Sequence, residues 1–256
     1  MFPYRDENET QRPAIVTGTI IALNVLVWLL VQGAGGTVSL ARSVCDLGLI
    51  PGELTGLLPA GTRFPIGDGL VCTTDPGPQV SHLLTSMFLH GSWMHLLGNM
   101  WFMWIFGNNV EDAMGRIRFV VFYLLSGLAA AAGQVFSNPA SAIPMVGASG
   151  AISGVMGGYL VLYPHVRVFA LVPIGFMLTS VALPAWMMLI YWLLIQFVSG
   201  LATFGGDVGG VAFWAHIGGF VTGVALVKVF ARADYLDAHR EHRWQPRSLG
   251  RRNIFE

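Results

Sequence analysis

From Ala14 to Gln32 the chain runs through about twenty residues without a charge, the length a helix needs to cross a bilayer core of about 30 Å. Comparable stretches recur as far as Phe230, and this recurrence limits the fold more than any other feature. Backbone inside hydrocarbon must satisfy its own N–H and C=O groups, which for runs of this length means helices. Composition agrees: 54% of the 256 residues are hydrophobic and 11% are charged, with a mean hydropathy of +0.61. Soluble domains carry roughly 25% charged residues, and so little charge cannot cover a water-facing surface of this size. The expected class is an all-α integral membrane protein. Formal net charge is +0, which gives no reason to expect a nucleic-acid partner, and the partner composition implies is the lipid bilayer.

The first span is Ala14 to Gln32, followed by a polar, Gly- and Pro-rich stretch from Gly33 to Leu84. The second begins at Trp93 and ends near Phe106. The third covers Ile117 to Phe136, the fourth Ser149 to just before Pro164, and the sixth Gly210 to Phe230. Between them, Val166 to Gly200 is too long for one span and too short for two, and Pro173 and Pro184 interrupt any helix. The first part, Val166 to Leu183, reads as an interfacial or partly buried segment, and Pro184 to Val198 reads as the fifth span. No removable targeting segment is expected, because Arg5, Asp6, Glu7 and Glu9 precede the first apolar run.

Charge sets the orientation. With six spans, Arg5, Arg12, Arg116, Arg118, Arg167 and the tail arginines (Arg232, Arg240, Arg243, Arg247, Arg251, Arg252) share one side, against Arg42 and Arg63 on the other. Basic loops stay cytoplasmic. Residues 1–13 are then a cytoplasmic N-terminal segment, 14–230 a membrane domain with its exported loop at 33–84, and 231–256 a basic cytoplasmic tail. A multi-pass protein of a bacterial inner membrane, with both termini in the cytoplasm, is the expected setting. Cys45 and Cys72 both fall in the exported loop, where they either form a disulfide or stand as unrelated thiols. Two cysteines are too few for a structural zinc site.

Polar groups inside a bilayer are costly and mark function. Here they are Asn24, His95, Asn99, Gln134, Ser149, Ser153, Thr179, Gln196 and His216, with no central carboxylate. Asp207 and the Glu111–Asp112 pair read as loop residues, and Lys228 stands at the end of span six. A di-aspartyl protease is therefore excluded, as is a metalloprotease built on a helix-borne HExxH motif. Proton-coupled transport through intramembrane carboxylates is disfavoured for the same reason. Serine, histidine and asparagine remain, a set suited to acyl transfer without metal or cofactor.

Depth agrees with that chemistry. Span four is about 15 residues or roughly 22 Å, some 8 Å short of the core thickness, which sinks Ser149 below the outer face. His216 lies roughly 9 Å down span six. His95 and Asn99 are four apart on one face of span two. Gly150, Gly154 and Gly158 on span four, and Ala215, Gly219 and Gly223 on span six, have the spacing that lets membrane helices approach closely.

Three motifs carry a family resemblance. GASG (Gly147 to Gly150) resembles the rhomboid nucleophile motif, HGSWMHLLGN (His90 to Asn99) resembles the family's second-span histidines and asparagine, and AHIGG (Ala215 to Gly219) resembles its sixth-span histidine motif. GNNVED (Gly107 to Asp112) fits the cytoplasmic end of the family's span two. The resemblance implies a six-helix rhomboid-like bundle with a long first exported loop, and a serine endopeptidase that cuts single-span transmembrane proteins near the outer face. It makes Ser149 the nucleophile and His216 the base, with His95, Asn99 and the Ser149 N–H as oxyanion donors. His90, Gly147, Gly150 and Gly219 support them. Ser81-His82 stands where the family commonly carries Trp-Arg, a departure that bears on loop packing. Substrate entry is expected past span five and the 199–210 loop, whose glycines (Gly200, Gly205, Gly206, Gly209, Gly210) fit a mobile cap.

Two rival functions remain. A non-catalytic rhomboid-like binder of transmembrane clients is expected to lack Ser or His of the pair, and both are present. A small-solute channel needs a continuous polar path, whereas the inner halves of spans four and six are apolar or glycine.

Overall fold

The computed structural model describes residues 2–67, 69–204 and 210–243. Gly205, Gly206, Asp207, Gly209, Arg247, Arg251 and Arg252 lie outside the described residues. A short strand, β1 (Phe2–Asp6), leads to the apolar helix α1 (Ile15–Leu30). The following stretch, read above as loop, is largely ordered into α2 (Thr37–Leu47), α3 (Pro51–Leu54), a hairpin of β2 (Arg63–Gly67) and β3 (Leu70–Thr73), and α4 (His82–Thr85). A disulfide joins Cys45 on α2 to Cys72 on β3, with Cα atoms 5.5 Å apart. His82 is buried on α4.

Next come α5 (Trp93–Phe102), a π-turn at Met103–Gly107 and α6 (Asn108–Met114), continuous in helical backbone from Trp93 to Met114. The Glu111–Asp112 pair is therefore helical and buried, and the expectation of a loop there is corrected. Both carboxylates are matched by donors far away in the chain. Glu111 accepts from the Val16 and Thr17 N–H groups at 2.9 and 2.8 Å and from the Thr17 hydroxyl at 2.8 Å. It thereby supplies the cap that α1 lacks locally, since no side chain caps α1 at Ala14. Asp112 accepts from the Gln11 N–H at 2.9 Å and from Arg12 at 3.1 Å.

The bundle continues with α7 (Arg116–Ser137) and α8 (Ser149–Leu162). An antiparallel hairpin, β4 (Arg167–Ile174) and β5 (Met177–Pro184), precedes α9 (Ala185–Ala202), α10 (Phe213–Phe230) and α11 (Ala233–Arg243). The Val166–Leu183 segment is thus a hairpin, joined on its β4 side by β1 in the order β1-β4-β5. The chain is mainly helical rather than all-α. The reason is local: RVFALVPI and MLTSVALP are rich in β-formers, and Pro173 falls beyond Leu171, the last β4 residue that β1 pairs. Thr179 consequently lies on β5, not inside a span.

Among the described residues, three helices are by length and composition apolar enough to cross a membrane, α7, α9 and α10, and α1 and α8 are shorter apolar helices. The centre is α8, buried continuously from Gly150 to Tyr159. Glycine makes this possible. A Cβ on Gly219 of α10 would strike the Gly150 carbonyl, and one on Gly223 would strike that of Gly154. Helices α8 and α10 therefore meet backbone to backbone.

At one end of the bundle the terminal segments close on each other. His239 of α11 lies 3.0 Å from Asn8 Oδ1 and 3.6 Å from Asp112 Oδ2. Tyr159 at the inner part of α8 donates to Asp6 of β1 at 2.6 Å.

Candidate active site

Ser149 is the first residue of α8, and His216 sits in the first turn of α10. The close α8–α10 approach puts Ser149 Oγ 2.8 Å from His216 Nε2. His216 Nδ1 lies 2.8 Å from Gln196 Oε1 on α9. An amide oxygen only accepts, so Nδ1 carries the ring proton and Nε2 is left as the acceptor for the Ser149 hydroxyl. Trp192, one turn before Gln196, packs on the imidazole with ring centroids 5.7 Å apart. Together these contacts fix the tautomer and the plane of the ring.

His95 and Asn99 project from α5 toward the same point. The Ser92 side chain caps α5 by accepting from the His95 N–H at 3.1 Å, which starts the helix immediately before these residues. His95 Nδ1 accepts from the Gly91 N–H at 3.3 Å, so its proton is on Nε2. A Cβ on Gly147 would lie 2.8 Å from His95 Nε2 and 3.4 Å from Ser149 Oγ, and Gly147 has φ +132°. Glycine is required there both by conformation and by space. Asn99 Nδ2 is a buried donor with no hydrogen-bond partner among the described residues. These groups line one cavity of about 540 Å³, which Ser149, His216, His95, Asn99 and Trp192 share with Gln134.

His90 stands behind them. Its backbone is held both ways by Gln32 at 2.8 Å, and its ring packs edge-on against His95 at 5.1 Å. Gly150 and Gly219 supply the helix contact described above. Cys45 and Cys72 lie in the disulfide of the 33–84 segment, outside the cavity lining.

The sequence reading places Gln196 among the intramembrane polar groups without a role, and its contact with His216 is found only in the structure. The available signal was that it shares a helix face with Trp192, four residues earlier, and is the only side-chain amide of α9.

The apolar helical bundle thus brings a serine and a histidine within hydrogen-bond distance in one cavity. Residues 77–233 match the Rhomboid domain, and the chain belongs to the rhomboid family, whose members are integral membrane proteins and in general serine intramembrane proteases. It is similar to "Rhomboid-like protease 5" of Toxoplasma gondii, 31% identical over 174 residues covering 65% of this chain and 18% of that protein. It is also similar to "Rhomboid protein 1, mitochondrial" of Saccharomyces cerevisiae, 29% identical over 173 residues, 64% of this chain and 45% of that protein. "RHOMBOID-like protein 6, mitochondrial" of Arabidopsis thaliana is 31% identical over 150 residues, 59% and 43%. The chain thus spans less than half the length of these relatives.

Proposed function

We propose that this protein is an intramembrane serine endopeptidase that cleaves single-span transmembrane proteins near the outer face of the bilayer. The observation that carries the reading is the 2.8 Å approach of Ser149 Oγ to His216 Nε2, beside an unpaired Asn99 amide in a shared cavity. His216 accepts the Ser149 proton as Oγ bonds to the scissile carbonyl carbon. The carbonyl oxygen gains the charge, facing the Asn99 amide, the His95 Nε2–H and the Ser149 N–H. His216 then gives its proton to the leaving amine, and water hydrolyses the acyl-enzyme through the same base. The pair works without a carboxylate because Gln196 orients the imidazole.

The membrane arrangement is read as six spans: the five apolar helices, plus the part of the continuous helix from Trp93 to near Phe106 as span two, with Asn108–Met114 beyond it at the membrane edge. Contact between Asn8 and His239 supports an even count, since it brings the two terminal segments to one end. That end is read as cytoplasmic from its arginines, in a bacterial inner membrane or an equivalent one. Substrate is read as entering past α9.

The test is cleavage of a single-span protein with helix-weakening residues by the full chain in liposomes. Parent protein should cut it and react with a fluorophosphonate at Ser149, while Ser149→Ala and His216→Ala should do neither. Cleavage by both variants at the parent rate defeats the proposal. Client binding without cleavage by the parent favours the non-catalytic binder.

A further inference from the structure

The opposite end of α7 from the serine site holds a second cavity, of about 680 Å³. One end of α7 reaches Ser137 in the first cavity, and its other end, Gly115 and Arg116, lines the second. The two are separated by the helix length, roughly 33 Å at 1.5 Å per residue.

Four arginines line it: Arg12, Arg116, Arg118 and Arg232. Of its two carboxylates, Glu111 is committed to the start of α1, and Asp112 pairs with Arg12 within the lining and also meets Gln11 and His239, which leaves Arg116 and Arg118 as its arginines without a carboxylate among the described residues. Arg12 and Arg232 both lie against the Tyr235 ring, 3.5 and 3.9 Å from its centroid, and Arg232 also pairs with Asp234. Arg118 makes one long bond, 3.4 Å to the Phe230 carbonyl. Arg116 is exposed and has no partner among the described residues.

The helix start is itself unfinished. Gly115 turns the chain at φ +78°, and α7 has neither a side-chain cap nor an acidic residue in its first turn. Its first N–H groups are therefore left without a side-chain acceptor among the described residues, and Gly115, Arg116, Ile117 and Arg118 all line the cavity. Like charges gathered round an uncapped helix start, beside a roomy cavity, form a receptor for a compact multidentate anion. Because α7 is a membrane-span candidate, the cavity sits where that span leaves the bilayer.

We propose that this cavity binds a phosphate group, presented by an anionic lipid headgroup or by free phosphate. Arg116 and Arg118 take the charge, while Arg12 and Arg232, braced by Tyr235, form the back wall. The occupied site would tie α7 to the first and last segments of the chain through one anion.

Full-length protein in detergent is offered three probes separately: short-chain phosphatidylglycerol, short-chain phosphatidylcholine and inorganic phosphate. Binding is read by native mass spectrometry and by the unfolding temperature. Phosphatidylglycerol should bind well above phosphatidylcholine. Arg116→Gln/Arg118→Gln should lose roughly thirtyfold in that affinity, each arginine counting for about fivefold. Its unfolding temperature without probe should match the parent's. If inorganic phosphate alone binds as strongly and the same substitutions abolish this, the site stands and its source is the free ion. Should the double variant unfold early, Arg116→Gln alone, which removes no described contact, must still weaken binding. Equal binding by parent and variants, or no preference for the anionic probes, overturns the proposal.

Discussion

Gln196 Oε1 lies 2.8 Å from His216 Nδ1, on the side of the imidazole opposite Ser149. In the proposed mechanism it does the orienting work that an aspartate does in a triad, without bringing a charge that the bilayer would have to stabilise. Gln196→Leu should lower kcat about tenfold, the worth of roughly one oriented hydrogen bond, and leave KM unchanged. Fluorophosphonate labelling of Ser149 should slow in parallel. A change in KM alone would place Gln196 in substrate binding instead.

Asn99 Nδ2 offers a donor that no described residue accepts. Removing one oxyanion donor typically costs about a hundredfold or more in kcat. Asn99→Ala should show a loss of that order with little effect on unfolding temperature, measured on the same preparation. A variant as fast as the parent would remove Asn99 from the oxyanion role.

Gly219 leaves no room for a Cβ against the Gly150 carbonyl. Gly219→Ala must push α10 away from α8, at a cost of about 1–3 kcal/mol in stability. The same movement should lengthen the Ser149–His216 contact, so activity should fall further than the unfolding temperature suggests. Ala215→Gly, on the same helix face, serves as the permissive control.

The Cys45–Cys72 bridge closes a segment of sequence separation 27. Loop-closure entropy for that length gives about 3.5 kcal/mol. Cys45→Ser/Cys72→Ser should lower the unfolding temperature and expose the 33–84 segment to protease. Because the bridge lies away from the cavity, peptide-bond cleavage at low temperature should persist.

Burial raises the Asp112 carboxyl, but the nearby His239 ring, the Gln11 N–H and the Arg12 guanidinium outweigh it and hold the group below its ordinary range. A carboxylate depressed on folding contributes stability above its unfolded value of about 3.9, and that stability is lost as pH falls through the lower folded value. The parent should therefore loosen at its terminal clasp as pH drops below about 4. Asp112→Asn should be less stable at neutral pH and show a flatter acid limb, both read from unfolding temperature against pH.

The helices were legible because span length and uncharged runs are one-dimensional signals. Ile15–Leu30, Arg116–Ser137 and Ser149–Leu162 lie within a few residues of the spans read from hydrophobicity. What connects them was not legible. Glu111 looked like a loop residue because carboxylates near a Gly-Asn-Asn sequence usually face water, and its partners, Val16 and Thr17, are distant in the chain. The β4–β5 hairpin was hidden for a related reason. Its prolines argued against helix, but pairing with Phe2–Asp6 depends on a terminal segment with no apolar signal of its own. Motif spacing pointed to Ser149 and His216, whereas Gln196 could be assigned only once a helix had been set beside the imidazole.

The contact between Asn8 and His239 also has a consequence in time. Asn8 has its partner on the last described helix, so that end of the bundle cannot close until the chain has been synthesised through His239. Until then α1 can be held through Glu111 and by packing against α5 and α7, but not by the clasp that Asn8 and His239 form.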